Sequence, residues 1–326
     1  MNTETPGRAE SPDSSDAAVV VRTPAKVNLA LLVGPLRADG FHELASVYQA
    51  VSLYDEVIAR PAPAGEFDVV VHAAPERVSG VPSGGDNLAV RAATLLASRC
   101  GVTGAGAMLE IYKGIPVAGG MAGGSSDAAA ALVACDALWD TKLDRSQLMA
   151  LAAELGSDVP FCLLGGTAVG AGHGEIVTPA LARGTYHWVF ALDGDGLSTP
   201  AVYAELDRMR SGLTVLPPRV PGALMAALRV GDTRGVGRAL TNDLQPAALR
   251  LRGRLARVLK EGVDAGAVGA VVSGSGPTCA FLARDSAHAN DLAARLSGSG
   301  VCPTVRTAYG PVPGARIVTE NSGNAA

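Results

Sequence analysis

Large aromatic side chains are scarce in this sequence, at 4% of its 326 residues, whereas glycine alone accounts for 40 positions. A core with few rings has to be packed from small aliphatic side chains, and 48% of the residues are apolar. This length and this apolar share suffice for about two globular domains, each with a core of its own.

The sequence also lacks an excess of positive charge. Its 27 lysine and arginine residues face 31 aspartate and glutamate residues, so that the formal net charge is −4 at pH 7. Nucleic acids and anionic membranes attract strongly basic proteins, and neither is therefore favoured as a partner. No apolar run reaches the length of a transmembrane helix. The polar start of the chain does not have the pattern of a secretory signal.

Cysteine is rare, and its spacing shows no C-x-x-C pair. The five cysteines are Cys100, Cys135, Cys162, Cys279 and Cys302. We interpret this odd, scattered set as buried, reduced thiols of a cytoplasmic protein.

A glycine-rich loop between two regular elements is the strongest local pattern. A strand is predicted over residues 107–112, and an alanine-rich helix is predicted to run to Trp139. Between them stand Gly119-Gly120 and Gly123-Gly124, followed at once by Ser125-Ser126-Asp127. Paired glycines let backbone N–H groups turn towards a ligand, and the N-terminus of a helix favours an anion. A phosphate group is therefore the expected ligand.

Two common phosphate-binding motifs are absent from this loop. A P-loop requires a lysine directly after its second glycine, but Ser125 stands there. The glycine spacing does not fit the dinucleotide pattern G-x-G-x-x-G either. The remaining alternative is a flexible loop that ends in a serine or aspartate cap before an ordinary helix.

Three other stretches contain polar residues that could belong either to a functional site or to ordinary structural features. Lys26 lies just after Pro24, and taken alone it fits a solvated surface charge equally well. Asp158 precedes the apolar run 159–164, so it is either a helix N-cap or a buried functional group. The turn Ser273-Gly-Ser-Gly276 offers a second set of N–H groups for a phosphate, although such turns are common.

The order of elements predicts an α+β fold with two domains. Strands are predicted over 17–23 and 27–33, with an interruption at Pro24. After residue 183, a strand, a hairpin around 273–277, a helix and a last strand indicate an antiparallel sheet. The predicted units are a disordered tail over 1–16, a first domain over 17–182, a second domain over 183–313 and a disordered tail over 314–326.

Five stretches occur in the order found in GHMP small-molecule kinases. They are Pro24–Asn28, Ala38–Glu43, Gly119–Ser126, Asp158–Phe161 and Ser273–Gly276. The resemblance covers nearly the whole chain, and the first two stretches are similar to the branch that phosphorylates the 2-hydroxyl of 4-diphosphocytidyl-2-C-methyl-D-erythritol in non-mevalonate isoprenoid biosynthesis. It implies a ribosomal-protein-S5-like nucleotide-binding domain followed by a ferredoxin-like α+β domain.

The resemblance also implies catalytic roles for two residues. Asp158 would be the base near the acceptor hydroxyl, and Lys26 would lie beside it and orient the reacting groups. Phosphoryl transfer needs positioning, charge neutralisation and a group that takes the hydroxyl proton, so these residue types fit the chemistry.

ATP and Mg²⁺ are the implied cofactors. The implied ATP contacts are Asn87, Lys113, Pro116, Val117, Ala118, Gly119, Gly120, Met121, Ala122, Gly123, Gly124, Ser125 and Ser126. Ser126 and Asp127 are the implied ligands of Mg²⁺, a hard cation that takes oxygen ligands. Ala118 and Ala122 depart from the family, in which glycine is frequent at both positions.

The implied substrate contacts surround a cytidine group. Asn28, Phe41 and His42 match the family at this end of the substrate, and Tyr203 is expected as the opposing aromatic. An aromatic face can stack on cytosine, and a histidine can hydrogen-bond its edge. Phe41 replaces a frequent tyrosine, which preserves stacking but removes a phenol hydrogen bond.

The partner expected from this resemblance is a small molecule, and neither a nucleic acid nor a membrane is expected to be involved. The protein is expected to be a monomer or weak homodimer in the cytoplasm. Two alternatives remain open at this point. One is another GHMP kinase that acts on homoserine, mevalonate or a sugar. The other is a non-catalytic nucleotide-binding sensor on the same fold.

Overall fold

The computed structural model describes residues 18–72, 81–117 and 119–318. The tail predicted over 1–16 and the nucleotide contact predicted at Ala118 lie outside these ranges, as do residues 319–326 of the second predicted tail.

Strands in the described part of the chain form two sheets. In chain order they are β1 (Val19–Leu36), β2 (His42–Pro61), β3 (Phe67–His72), β4 (Ala107–Tyr112), β5 (Thr167–Ala171), β6 (Ile176–Pro179), β7 (Tyr186–Leu192), β8 (Thr241–Asn242), β9 (Gly269–Val272), β10 (Cys279–Ala283), β11 (Thr304–Gly310) and β12 (Arg316–Ile317). The first sheet has the order β12-β1-β2-β4-β3, while β5 joins β2 to β6 and β8 adds to β1.

Helices pack on both sheets. They are α1 (Leu88–Cys100), α2 (Gly123–Leu138), α3 (Arg145–Leu155), α4 (Val159–Leu164), α5 (Thr199–Arg210), α6 (Gly222–Val230), α7 (Thr233–Ala239), α8 (Gln245–Leu251), α9 (Arg254–Asp264) and α10 (Ser286–Ser299). Within the described ranges, none of these helices has both the length and the apolar character that crossing a membrane requires.

The first strand is continuous, and the predicted interruption at Pro24 is wrong. The pairing of β1 with β2 instead shifts its register after Pro24 and again after Asn28. A bulge accommodates proline because the missing N–H is not needed in the ladder there. Lys26 and Asn28 stay two residues apart on one strand, so their side chains share a face.

The core of the first domain is built from small side chains. Helix α2 presents Ala128–Ala131, all with no solvent exposure, to the strands and helices around it. Ala92 and Ala93 of α1 are equally buried in the same cluster. Small residues let helices and sheet approach closely, which explains how a chain with few aromatics fills its interior.

The second sheet confirms the predicted α+β class and the ferredoxin-like second domain. Its order is β11-β7-β10-β9, and all neighbours are antiparallel. The chain passes from β7 through helices to the β9–β10 hairpin, then through α10 to β11, which is the split β-α-β arrangement. Phe281, Leu292 and Val189 lie in the core beneath it.

After β11 the chain returns to the first domain. Ala315 donates its N–H to the Cys162 carbonyl at 2.9 Å, and Val318 donates to the Val20 carbonyl at 2.8 Å. Strand β12 pairs with β1 between these contacts. The prediction that disorder begins at residue 314 is therefore wrong for residues 314–318, because a free sheet edge and α4 supply partners that the sequence does not reveal.

Candidate active site

A cavity of about 680 Å³ lies between the first sheet and helix α5 of the second domain. It brings together residues that are far apart in the chain. The predicted site residues on its wall are Lys26, Asn28, Phe41, His42, Ser125, Asp158, Tyr203, Gly274 and Ser275. The two domains thus contribute to one concave site of the size of a small-molecule pocket.

Lys26 is buried in the wall of this cavity. Its ammonium nitrogen lies 3.5 Å from Asp158 Oδ2 and donates to Asn28 Oδ1 at 2.7 Å. The Asn28 amide in turn donates to the Ser46 hydroxyl at 2.9 Å, which donates to the Ala30 carbonyl. Only 6% of the Lys26 side chain is exposed, so the interpretation as a solvated surface charge is wrong.

Asp158 precedes helix α4 but does not cap it. Its backbone is already helical, at φ −86° and ψ −14°, and its side chain makes no capping hydrogen bond. The carboxylate is 29% exposed and lies against Lys26. Because a cap would direct the oxygens to the helix N–H groups, this geometry favours the functional interpretation over capping.

Two phenols lie near this carboxylate. Burial, and after it the charge of Asp158, raises the pKa of Tyr48 well above its usual value and raises that of Tyr203 as well. Both phenols therefore stay protonated at neutral pH. Beside them, the Asp158 carboxylate offers oxygen acceptors on the cavity wall.

The cavity wall also carries aromatic side chains. The His42 ring stacks on Tyr203 with centroids 5.4 Å apart, and its Nδ1 lies 2.9 Å from the Gly34 carbonyl. Since a carbonyl only accepts, Nδ1 carries the proton of that hydrogen bond. Phe41 is 56% exposed and lies against His173, with centroids 5.3 Å apart. These rings can enclose a planar base.

Several wall residues were not predicted from the sequence. His173 Nδ1 contacts the Ser157 hydroxyl at 2.9 Å and the Glu175 carboxylate at 3.2 Å. Asp207 lies 3.3 Å from His42 Nε2. Asp207 follows Tyr203 by one helical turn of α5, a spacing that could have indicated it. No local signal marks His173, since the β5–β6 turn reaches the cavity only in the folded chain.

The glycine loop packs against the second glycine-serine turn. Gly120 has φ +71°, and a Cβ there would lie 2.3 Å from the Ser273 carbonyl. The Ser273 hydroxyl donates to the Gly120 carbonyl at 3.2 Å, and the Lys26 N–H donates to the Met121 carbonyl at 3.1 Å. Three motifs separated in sequence therefore meet at one place, where α2 begins at Gly123.

Comparison with known proteins agrees with this geometry. A model of the GHMP kinases N terminal domain matches residues 87–166, and a model of the GHMP kinases C terminal region matches residues 224–302. A curated relative from Thermobifida fusca (strain YX), named 4-diphosphocytidyl-2-C-methyl-D-erythritol kinase, is 56% identical over 94% of this chain and 100% of its own length. The chain belongs to the GHMP kinases.

Other relatives of this GHMP kinase agree with that placement. A protein of the same name from Nocardia farcinica (strain IFM 10152) is 54% identical over 93% of this chain and 97% of its own. A solved structure of 4-(cytidine 5'-diphospho)-2C-methyl-D-erythritol kinase has a TM-score of 0.71 at 34% identity, covering 89% of this chain and 98% of that chain. A solved structure of homoserine kinase from Cytophaga hutchinsonii has a TM-score of 0.73 at 19% identity, covering 96% of this chain and 100% of that chain. At that identity the likeness shows the fold alone.

Two predicted nucleotide contacts of this GHMP kinase, Asn87 and Lys113, do not line the cavity. The Asn87 side chain accepts from Ala89 N–H at 2.9 Å and donates to the Pro82 carbonyl at 2.9 Å, which makes it the N-cap of α1. The Lys113 ammonium donates to Asp55 at 2.5 Å and to Asp127 at 2.7 Å. Both side chains are thus engaged by the protein itself, and their contact with ATP stays a prediction.

The predicted Mg²⁺ ligands do not face the cavity. The Ser126 hydroxyl is fully buried and donates to the Pro24 carbonyl at 2.8 Å, while the Asp127 carboxylate is held by Lys113. Metal ligation by these two side chains therefore has no support in this structure. Among the residues that the structure describes, no three histidine, cysteine, aspartate or glutamate side chains form a metal-binding group.

Proposed function

We propose that this chain transfers the γ-phosphoryl group of ATP to the 2-hydroxyl of 4-diphosphocytidyl-2-C-methyl-D-erythritol, a step in the non-mevalonate synthesis of isopentenyl diphosphate. The observation that carries the proposal is the ion pair of Lys26 with Asp158, 3.5 Å apart, on the wall of a cavity that also carries aromatic side chains. The names of two relatives that are more than 50% identical support the same substrate.

Asp158 takes the proton of the substrate 2-hydroxyl, and the hydroxyl oxygen forms a bond to the γ-phosphorus. The bond between that phosphorus and the β-phosphate oxygen breaks, and ADP leaves. Lys26 neutralises charge next to the attacking oxygen, and Asn28 fixes the direction of the Lys26 ammonium through their 2.7 Å hydrogen bond. Phosphoryl transfer demands positioning and charge stabilisation more than covalent chemistry from the protein. A pre-formed ion pair beside the acceptor meets that demand.

The donor phosphates bind the glycine loop over residues 116–126. N–H groups at the start of α2 face the phosphates, and the turn Ser273–Gly276 packs beside them. Mg²⁺ would neutralise the charge of the phosphates there, since it is a hard cation that takes oxygen ligands. Ser125, whose side chain lines the cavity, is the loop residue that can offer it a hydroxyl oxygen.

The cytidine end of the substrate occupies the aromatic part of the cavity. Phe41 and Tyr203 offer ring faces to cytosine, and His42 offers the ring nitrogen that does not contact the Gly34 carbonyl. Asp207 lies beside that nitrogen and can accept from an exocyclic amine.

Two other functions are weaker candidates. Homoserine, mevalonate and sugars contain no planar base, so the rings of Phe41 and Tyr203 would have no stacking partner. A non-catalytic sensor would have no use for a buried lysine held against Asp158. The net charge of −4 favours a small-molecule substrate over a nucleic acid or an anionic membrane, and we further propose a cytoplasmic monomer or weak homodimer.

The direct test is the release of ADP from Mg-ATP in the presence of the proposed alcohol, measured with a coupled assay. Parallel reactions contain homoserine, mevalonate or a sugar, and a blank contains no acceptor. The proposal expects ADP above the blank with the cytidine-containing alcohol alone. ADP at the level of the blank with that alcohol would overturn it.

A further inference from the structure

A buried ionic cluster lies directly beneath the glycine loop. The Lys113 ammonium donates to Asp55 Oδ2 at 2.5 Å and to Asp127 Oδ2 at 2.7 Å. The exposed fractions of the three side chains are 2% for Lys113, 0% for Asp55 and 4% for Asp127. A lysine so enclosed does not reach a ligand in the cavity without breaking both ion pairs.

The cluster connects the two ends of the loop. At the start, Asp55 of β2 uses its other oxygen to accept the N–H groups of Gly114 and Ile115, at 2.7 and 2.8 Å. At the end, Asp127 belongs to the first turns of α2. Lys113 lies just under that helix start, since a Cβ on Gly123 would be 3.3 Å from its ammonium nitrogen.

The cluster does not have the composition expected of a contact that only stabilises the fold. Two carboxylates share one lysine, and Asp127 Oδ1 is buried without a hydrogen-bond partner among the described residues. A buried group left unsatisfied is unfavourable, and buried ion pairs often stabilise a fold no better than apolar side chains of similar volume. What the cluster does supply is a fixed geometry among β2, the loop and α2.

We propose that Asp55, Lys113 and Asp127 form an ionic clamp that sets the spacing between the two ends of the glycine loop and so shapes it for the phosphates of the donor. All three are positioning residues that do not touch the nucleotide. The inference rests on the proposed function, because it takes ATP as the donor.

The Asp127→Ala variant distinguishes the clamp from the alternative in which Lys113 contacts ATP directly. The clamp predicts that the KM for ATP rises about 10-fold to 100-fold, whereas the KM for the alcohol changes little. A lysine that binds the phosphates itself predicts the opposite, because freeing it from one carboxylate leaves the KM for ATP unchanged or lowers it. Asp127→Asn keeps an oxygen acceptor for Lys113, so the clamp predicts a KM for ATP between those of wild type and Asp127→Ala.

Asp136→Ala is the matched control. Asp136 lies on the same helix, and its carboxylate accepts from the Thr141 hydroxyl and the Leu143 N–H at the opposite end of α2. Its loss should leave the KM for ATP at the wild-type value. Thermal stabilisation by CDP checks that each variant is folded, and Asp127→Asn carries the test if Asp127→Ala does not fold.

A KM for ATP equal to that of wild type in both Asp127 variants would overturn the clamp. A wild-type protein that releases no ADP would instead overturn the proposed function, so the two failures can be told apart.

Discussion

The Lys26 ammonium lies 3.5 Å from the Asp158 carboxylate, although one residue belongs to the first strand and the other to the turn before α4. The chain brings them together because the Lys26 N–H is bonded to the Met121 carbonyl of the glycine loop, whose helix packs against α4. The acceptor site and the donor loop are therefore built on the same piece of β1.

Replacement of Lys26 should reduce turnover without unfolding the protein. Lys26→Met removes the cation beside the reacting oxygen and should lower kcat about 100-fold to 1,000-fold. Lys142→Met is the control, because that side chain is 77% exposed and pairs with Asp140, which is also exposed. Steady-state kinetics on both variants, with thermal unfolding as a check of folding, decide this prediction. A Lys26→Met variant with wild-type kcat would refute it.

Loss of the ring at position 203 should weaken acceptor binding selectively. Tyr203→Ala removes both the stacking face and the contact with His42, so the KM for the cytidine-containing alcohol should rise about 10-fold or more. Tyr203→Phe keeps the ring and should stay close to wild type. The KM for ATP should not change in either variant. Equal effects of the two substitutions on the alcohol would contradict a stacking role.

Crowding at Gly120 should make alanine destabilising there. Its φ of +71° disfavours a side chain, and the new Cβ would meet the Ser273 carbonyl at 2.3 Å. We expect Gly120→Ala to lower the free energy of unfolding by about 3 kcal/mol and to raise the KM for ATP. Gly85→Ala serves as control, since no atom of the described residues lies within 4 Å of a Cβ at Gly85. Denaturant titration measures both, and similar stabilities would disprove the close packing of the two turns.

Three cysteines should resist alkylation in the native protein. Burial raises the pKa of the thiols of Cys135, Cys162 and Cys279 to about 12, so almost none of each is thiolate at pH 8. Cys100 and Cys302 are partly exposed and should react before the other three. Iodoacetamide labelling followed by mass spectrometry tests this order, and early modification of Cys162 would show that the interior near Ser126 opens readily.

Residue patterns alone predicted the α+β class and the helix start after the glycine loop, because both follow from local periodicity and turn chemistry. The patterns did not decide whether Lys26 is a functional residue or a surface charge, or whether Asp158 is a functional group or a helix cap. Only the family resemblance predicted that the two residues act together. That pairing depends on contacts between distant strands and turns, which no local pattern encodes.

The predictions that proved wrong also depended on contacts between residues that are distant in the sequence. Pro24 suggested a break in the strand, but a bulge accepts it, and residues 316–317 find a strand partner that only the folded sheet provides. Asp127 has the residue type of a metal ligand, yet Lys113 occupies it. His173 and Asp207 enter the site through a turn and a helix whose positions depend on the whole fold.

The central claim is that Asp158 accepts the proton of the substrate hydroxyl, and Asp158→Ala tests it most directly. ADP release is measured with Mg-ATP and the cytidine-containing alcohol for wild type and variant, together with thermal stabilisation by ATP. We predict turnover in wild type, a loss of about 1,000-fold or more in the variant, and unchanged stabilisation by ATP. A variant that retains wild-type turnover would contradict the account.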